Sequence, residues 1–140
     1  MQHDNYPDAY LRNILTGART VAVVGASPRS HRPSHRVMRF LQQRGYRCIP
    51  VNPFAVGSDI LGERVFAHLA DIKGPVDMVD IFRRSEMAGA AVNEAIAIGV
   101  KSVWMQLDVR DDAAAARAEA HGIKVVMNRC PAIEIPRLAL

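Results

Sequence analysis

The feature that most restricts the fold is a buried strand followed by a glycine and a basic loop, over residues 21–36. The apolar run 21–24 predicts a strand buried on both faces, as in a parallel sheet. Gly25 then ends the strand where the backbone takes a positive φ or a ligand approaches closely. Pro33 and Ser34 predict a helix start, because proline suits the first turn and serine is a preferred N-cap. The N–H groups at a helix start attract anions, so this stretch predicts an anion site.

Positive charge is concentrated in the same part of the chain. No Asp or Glu occurs over residues 9–58, which contain eight arginines, whereas the rest of the chain is net acidic. Because Arg29 and Arg32 lie in the loop itself, the pattern favours a ligand with several negative charges. Three arginines further along are interpreted as a solvated basic face: Arg39, Arg44 and Arg47.

The chain has 140 residues and is 49% hydrophobic, so we expect one domain over residues 1–140 that folds without a disulfide or a metal. No apolar stretch approaches membrane-spanning length, and the first residues lack the charged and apolar regions of a signal peptide. We therefore expect a cytoplasmic protein that does not bind membranes, with Cys48 and Cys130 reduced. No Cys or His spacing matches a zinc motif, so no metal site is predicted.

Strand and helix patterns alternate along the chain. The predicted strands cover residues 21–24, 46–51, 65–66, 76–82, 102–105 and 124–127, and residues 57–62 are predicted as a loop. Short connections and right-handed crossovers predict an α/β fold with three layers (α/β/α) and a Rossmann-like, doubly wound parallel sheet of order 3-2-1-4-5 plus an edge strand. Ligands of such sheets bind beyond the carboxyl ends of the strands, where the winding reverses.

A nucleotide is the expected ligand, but the residues argue against NAD. The dinucleotide fingerprint G-x-G-x-x-G is not met, because Gly25 is followed by Ser27 and Ser30 where the other glycines belong. NAD also requires a carboxylate near the end of the second strand, and Asn52 stands there instead. A phosphorylated ribose is better tolerated than free hydroxyls, which leaves NADP and coenzyme A.

Six short motifs occur in order along the chain: V-G-A-S at 24–27, R-P-S at 32–34, P-V-N-P at 50–53, V-D-x-V-D-x-F-R at 76–83, W-x-Q at 104–106 and N-R-C-P-x-I-E at 128–134. Together they resemble the small stand-alone CoA-binding proteins, which are similar to the CoA-binding domain of the succinyl-CoA synthetase alpha subunit. The resemblance implies a single Rossmann-like domain that holds coenzyme A or acyl-CoA across the strand ends.

The resemblance also implies which residues contact the cofactor. They are Gly25, Ala26 and Ser27 at the first turn, Pro33, Ser34 and Arg36 beside the phosphates, Asn52 and Pro53 at the adenosine, and Phe82, Arg83 and Gln106 along the pantetheine. To these we add the loop arginines, Arg29 and Arg32, and the residues after the last strand, Arg129 and Cys130. Three positions depart from the family pattern: Phe54 in place of Lys or Arg, Asp108 in place of Gly, and Asn128 in place of Asp.

No catalysis is predicted. The synthetase carries its phosphorylated histidine in a second domain, and none of the five histidines here lies in a matching motif. No nucleophile–base pair or metal cluster emerges. We expect Asp77 and Asp80 to bond neighbouring loops or to lie at a strand edge, without proton transfer. Cys130 is interpreted as a small buried side chain, with a mixed disulfide to the CoA thiol as the alternative.

Three functions remain open at this point. The first is a non-catalytic module that binds CoA or acyl-CoA. The second is an NADP-binding oxidoreductase or a nucleotide-sensing regulator, which needs proton donors that the sequence does not display. The third is an interaction module that uses the basic face, but no aromatic stacking platform accompanies the arginines, so no specific nucleic acid is expected. The apolar terminal helices either close the core or form a homodimer surface.

Overall fold

A computed structural model describes residues 1–140. The strands are β1 (Thr20–Val24), β2 (Arg47–Val51), β3 (Asp59–Ile60), β4 (Glu63–Arg64), β5 (Met78–Ile81), β6 (Ser102–Met105) and β7 (Lys124–Val126). The helices are α1 (Asp8–Gly17), α2 (Pro33–Gln43), α3 (Ser85–Ile98), α4 (Asp112–Ala120) and α5 (Pro131–Arg137), with a 3-10 turn at Leu69–Asp71. None of the helices combines the length and the apolarity that a bilayer crossing demands.

Five parallel strands form the main sheet, in the order β2-β1-β5-β6-β7. This arrangement confirms the predicted α/β fold with a doubly wound sheet. The predicted strand 65–66 is reduced to one parallel bridge, between Phe66 and Val51 at the outer edge of β2. The predicted loop 57–62 is wrong in part, because β3 and β4 pair there as a short antiparallel hairpin. Two-residue strands are too short to produce an alternating apolar pattern.

The sheet is covered on both faces, which explains the apolar run in β1. Ala22 and Val24 belong to the core that α3 and α4 close, whereas Val21 and Val23 belong to the core beneath α1, α2 and α5. Successive side chains of a strand point to opposite faces, so a strand covered on both sides needs an apolar residue at every position. Trp104 is fully buried in the second of these cores.

Asp80 lies in β5 and Asp77 directly precedes this strand, and the environments of the two carboxyl groups are opposite. Asp77 accepts hydrogen bonds from the backbone N–H groups of Thr20 (3.0 Å) and Arg19 (2.9 Å), and these bonds lower its pKa. Asp80 is fully buried in mid-sheet, neither of its carboxyl oxygens has a hydrogen-bond partner, and burial raises its pKa well above the usual value. The expectation of bonds to neighbouring loops is therefore confirmed for Asp77 and wrong for Asp80.

Tyrosine hydroxyls cover the free edge of β7. The Tyr10 hydroxyl donates to the Val125 carbonyl (2.8 Å) and accepts from the N–H of the same residue (2.9 Å). The Tyr6 hydroxyl accepts from the Met127 N–H (2.8 Å), and the two tyrosine rings stack with centroids 5.7 Å apart. Burial raises the pKa of Tyr10 to about 12, so its hydroxyl keeps the proton that it donates.

Candidate functional site

A cavity of about 550 Å³ lies at the carboxyl ends of β1, β5 and β6. After β1 the chain enters α2 on one face of the sheet, and after β5 it enters α3 on the other face, so the winding reverses between these two adjacent strands. Open α/β sheets bind their ligands at this place. The lining residues are Gly25, Ser27, Arg29, Arg32, Pro33, Ser34, Phe82, Arg83, Arg84, Gln106, Leu107, Asp108 and Val109.

Gly25 lies where β1 ends and has a φ of 84°, which confirms the predicted positive φ. A Cβ atom added to this residue would lie 2.2 Å from the carbonyl oxygen of Phe82. The end of the neighbouring strand β5 therefore approaches the backbone closely at this position. Because Gly25 has no side chain, the ends of β1 and β5 remain in contact at the cavity.

The loop between β1 and α2 is held by two serines. The Ser34 hydroxyl accepts from the Ser27 N–H (3.0 Å), and the Ser27 hydroxyl accepts from the Arg29 N–H (3.2 Å). The predicted N-cap role of Ser34 is wrong: the cap position is Arg32, whose side chain makes no cap hydrogen bond. The first turn of α2 also lacks acidic residues. The positive end of the helix dipole therefore meets the cavity without an acidic side chain in its own first turn to neutralise it.

Arginine side chains add positive charge to the cavity. Arg29, Arg32 and Arg83 line it, and none of them forms a salt bridge. Arg84, which was not predicted as a site residue, also lines the cavity and pairs with Glu86 at 3.3 Å. Unpaired guanidinium groups beside an uncapped helix start are the donors that phosphate groups prefer in proteins.

Gln106 provides a different kind of group on the far side of the cavity. Its side chain is only 7% exposed, and its Oε1 atom has no hydrogen-bond partner. Next to it the wall is apolar, formed by Phe82, Leu107 and Val109. A buried acceptor without a donor is unfavourable by about 1–3 kcal/mol. A ligand that places an N–H or O–H group at this atom would remove that penalty.

Two departures from the family pattern support each other in the loop beyond β6. Asp108 has a φ of 68° and Asn128 a φ of 57°, both in the left-handed region that Asp, Asn and Gly tolerate best. The Asn128 side-chain oxygen accepts from the Asp108 N–H at 2.8 Å. Asp108 thus occupies a position that suits glycine, and Asn128 holds the loop against the last strand.

The structure places Asn52 and Ala26 beside the cavity rather than in its lining. The Asn52 amide donates to the Ala26 carbonyl (2.8 Å), and its oxygen accepts from the Phe54 N–H (2.9 Å). Asn52 therefore ties the loop after β2 to the turn after β1. Pro53 lines a separate, smaller groove of about 230 Å³, which shares Arg83 with the cavity.

Three further predicted site residues point elsewhere. Arg36 is exposed and donates to the His31 carbonyl. The Arg129 guanidinium lies 5.2 Å from the centre of the Tyr6 ring, on the N-terminal segment. Cys130 is buried in the core beneath α5. The Arg129 guanidinium also donates to the Asp4 carbonyl (3.2 Å), so contacts with the N-terminal segment hold this side chain away from the cavity.

The cavity lining offers little for chemistry. No group of three His, Cys, Asp or Glu side chains is close enough to hold a metal ion. Asp108 is the single carboxylate in the lining, and no histidine or cysteine lies there. Away from the cavity, burial raises the pKa of the Cys48 thiol to about 12, so this thiol is unreactive near neutral pH.

A doubly wound parallel sheet with an uncapped helix start and unpaired arginines at its switch point is typical of domains that bind nucleotides through their phosphate groups. Comparison with known proteins makes the class specific. Residues 19–136 match the family model described as the CoA binding domain, so the chain belongs to that family. The resemblance seen in the six sequence motifs is confirmed.

Relatives of similar length resemble this chain in sequence over most of its length, and those with solved structures also share its fold. The uncharacterized protein YneT of Bacillus subtilis is 34% identical over 126 residues, which are 90% of this chain and 92% of that protein. The structure of cell-free ID.343 from Thermus thermophilus is 38% identical, with a TM-score of 0.90 over 95% of this chain and 99% of that one. A hypothetical protein from Pyrococcus horikoshii is 33% identical, with a TM-score of 0.92 over 100% and 98% of the two chains.

Proposed function

We propose that this chain binds coenzyme A, free or acylated, in the cavity at the carboxyl ends of β1, β5 and β6, and that it catalyses no reaction itself. The observation that carries the proposal is the group of unpaired arginines, Arg29, Arg32 and Arg83, around the uncapped start of α2. Coenzyme A brings a pyrophosphate and a 3′-phosphate, and bidentate guanidinium contacts suit both.

The rest of the cavity suits the pantetheine arm. This arm contains two amide N–H groups, and the partnerless Oε1 atom of Gln106 is a buried acceptor of the kind that they need. The apolar wall of Phe82, Leu107 and Val109 suits the methyl groups of the arm and the carbon chain of an acyl group. The residues present therefore fit the cofactor along its length, from charged to apolar.

Binding without reaction is supported by the side chains that surround the cavity. The Ser34 hydroxyl accepts from the Ser27 N–H, and no histidine lies in the lining to activate either serine as a nucleophile. The arginines keep their protons at any ordinary pH and act as donors rather than bases. A carrier, a sensor or a regulator of acyl-CoA needs no more than this.

Titration calorimetry with coenzyme A, dephospho-CoA, NADP and NAD tests the proposal. We expect coenzyme A to bind most tightly, dephospho-CoA more weakly and NAD least. Binding of NADP without binding of coenzyme A would contradict the proposal and favour the second hypothesis, an NADP-dependent protein, which a hydride-transfer assay would then examine. The absence of a carboxylate at Asn52 is the observation that keeps NADP in the comparison.

Variants make the same experiment site-specific. Replacing Arg32 or Arg83 with Gln removes a charge-assisted hydrogen bond of about 1.5–3 kcal/mol, which corresponds to a loss of roughly 10- to 100-fold in affinity. Arg39→Gln is the matched control, because Arg39 lies exposed on the same helix as the anion site but outside the cavity. Equal losses in all three variants would indicate a general charge effect and no specific phosphate site.

A further inference from the structure

Arginines continue along helix α2 beyond the cavity. Arg32, Arg36 and Arg39 follow one another at intervals of four and three residues, so they lie on one face of the helix. All three side chains are exposed. Because a helix rises about 10 Å over seven residues, this arginine stripe leads from the mouth of the cavity, where Arg32 lies, to a point well outside it.

No carboxylate of the protein neutralises the arginine stripe. None of its three members forms a salt bridge, and residues 9–58, which include all of α2, contain no Asp or Glu. The loop after β2, which Asn52 ties to the turn after β1, contains no lysine or arginine over residues 52–62. The positive charge therefore extends from the cavity along α2 and not along that loop.

A small ligand in the cavity does not use the whole stripe. Arg32 lines the cavity, whereas Arg36 and Arg39 lie outside its lining. At physiological ionic strength, salt screens the attraction between exposed charges that are more than about 8 Å apart. Arg39 therefore has charge to offer to a larger molecule, whose surface reaches past the mouth of the cavity.

The exposed face of α2 favours an acidic protein over a nucleic acid or a membrane. The one Phe, Tyr or Trp of this helix is Phe40, which packs against the core and under the Arg44 guanidinium, so no base-stacking platform accompanies the stripe. None of the large exposed apolar side chains lies on α2, so the helix has no group to insert into a bilayer. Carboxylates spaced three and four residues apart on a partner helix would match the stripe.

We propose that the arginine stripe docks an acidic helix of a carrier protein, whose serine-linked 4′-phosphopantetheine arm enters the cavity. The inference rests on the function proposed above, because the same arm carries the thiol of coenzyme A. The phosphate that joins the arm to the carrier lies at the mouth of the cavity, beside Arg32, where the stripe begins. The cavity thus accepts acyl groups that are bound to a protein as well as those bound to coenzyme A.

The arm and the helix of the carrier contribute together to its affinity. Once the arm lies in the cavity, the acidic helix is held near the stripe at a high effective concentration, and the reverse holds as well. The carrier with its arm, here called the loaded carrier, should therefore bind at least about tenfold more tightly than the carrier without it.

Titration calorimetry at about 0.15 M salt tests this with three ligands: coenzyme A, and the acyl carrier protein of the same organism with and without its arm. Arg39→Glu reverses one charge on the stripe outside the cavity. It should weaken binding of the loaded carrier about tenfold and leave the affinity for coenzyme A unchanged. Arg39→Lys keeps the charge and should restore most of the lost affinity.

Two further variants serve as controls. Arg47 is exposed and begins β2, at the end of the sheet opposite to the cavity. Arg47→Glu changes the net charge as much as Arg39→Glu does, and it should leave all three affinities unchanged. Arg83 lines the cavity, so Arg83→Gln should weaken both coenzyme A and the loaded carrier but not the carrier without its arm.

The outcomes separate the docking of a carrier from the proposed function. If wild-type protein binds coenzyme A, but Arg39→Glu binds the loaded carrier as tightly as wild type, the docking proposal is overturned alone. Equal losses in Arg39→Glu and Arg47→Glu would also overturn it, because they indicate only a general attraction between opposite net charges. A short DNA duplex that binds more tightly than the loaded carrier would assign the stripe to nucleic acid instead. If wild-type protein binds neither coenzyme A nor the loaded carrier, the proposed function itself fails.

Discussion

The buried carboxyl of Asp80 gives a prediction about how stability depends on pH. The side chain is fully buried without a hydrogen-bond partner, and its pKa is raised well above the usual value. The folded chain therefore keeps a proton on Asp80 at pH values where the unfolded chain, with a pKa of about 3.9, has released it. Deprotonation accordingly favours unfolding, and this group's contribution to stability falls as pH rises through that window.

The size of the effect follows from one proton. Stability changes by about 1.4 kcal/mol per pH unit between the unfolded and folded pKa values. Asp80→Asn has the same shape and no titrating group, so it lacks this slope. Its additional buried N–H donor is unfavourable by about 1–3 kcal/mol, which makes the variant the less stable protein in acid. Between the unfolded and folded pKa values of Asp80, the stability of this variant relative to wild type should then rise by about 1.4 kcal/mol per pH unit.

Urea unfolding measured at intervals between about pH 5 and pH 8 tests this slope. Asp77→Asn is the control on the approach to the same strand. Backbone N–H groups lower the pKa of Asp77, so the contribution of its carboxylate is present above a pH of about 4 and is lost below it. The unfolding free energy of Asp77→Asn should therefore change with pH in the same way as that of wild type throughout the measured range. Parallel curves for Asp80→Asn as well would refute the reasoning.

Three further predictions concern stability and binding. Tyr10→Phe leaves the N–H and the C=O of Val125 in β7 without partners and should lower the unfolding free energy by about 2 kcal/mol. The control Tyr46→Phe should lower it by about 1 kcal/mol, because the Tyr46 hydroxyl donates to one carbonyl only. Equal losses would contradict the role of the Tyr10 hydroxyl as both donor and acceptor. Gly25→Ala should lower the midpoint of thermal unfolding far more than Gly45→Ala. Both glycines have a positive φ, but only at Gly25 would the new methyl group meet a carbonyl oxygen. Similar midpoints would mean that the ends of β1 and β5 can move apart without loss of stability. Gln106→Leu should weaken coenzyme A about tenfold in calorimetry and leave adenosine 3′,5′-bisphosphate unaffected, and an equal loss for both ligands would instead indicate a structural role.

The sheet and the position of the cavity were within reach of sequence reasoning. The run 21–24 is apolar at every position because both faces of β1 are covered, and the handedness of crossovers limits the strand order. The burial of Asp80 was not predicted, because a charged residue in a strand normally indicates an exposed face. Its burial depends on layers that the local pattern does not describe.

Loop directions were harder to predict than strands. Val109 and Asp108 enter the cavity lining because Asn128, twenty residues further along, accepts from the Asp108 backbone. Arg129 lies away from the cavity because its guanidinium contacts the Tyr6 ring and the Asp4 carbonyl of the N-terminal segment. Both outcomes depend on contacts between distant segments, and hydrophobic periodicity carries no information about them.

The hydroxyl groups along β7 decide how the sheet terminates. A bare edge strand offers a row of amides and carbonyls on which a foreign strand can grow, and this is a common start of aggregation. Here a single phenol at Tyr10 fills the place of both a donor and an acceptor, so the growth point is occupied from within the same molecule. Helix α1, which carries Tyr10, thus prevents a strand of a second copy from pairing with the edge of β7.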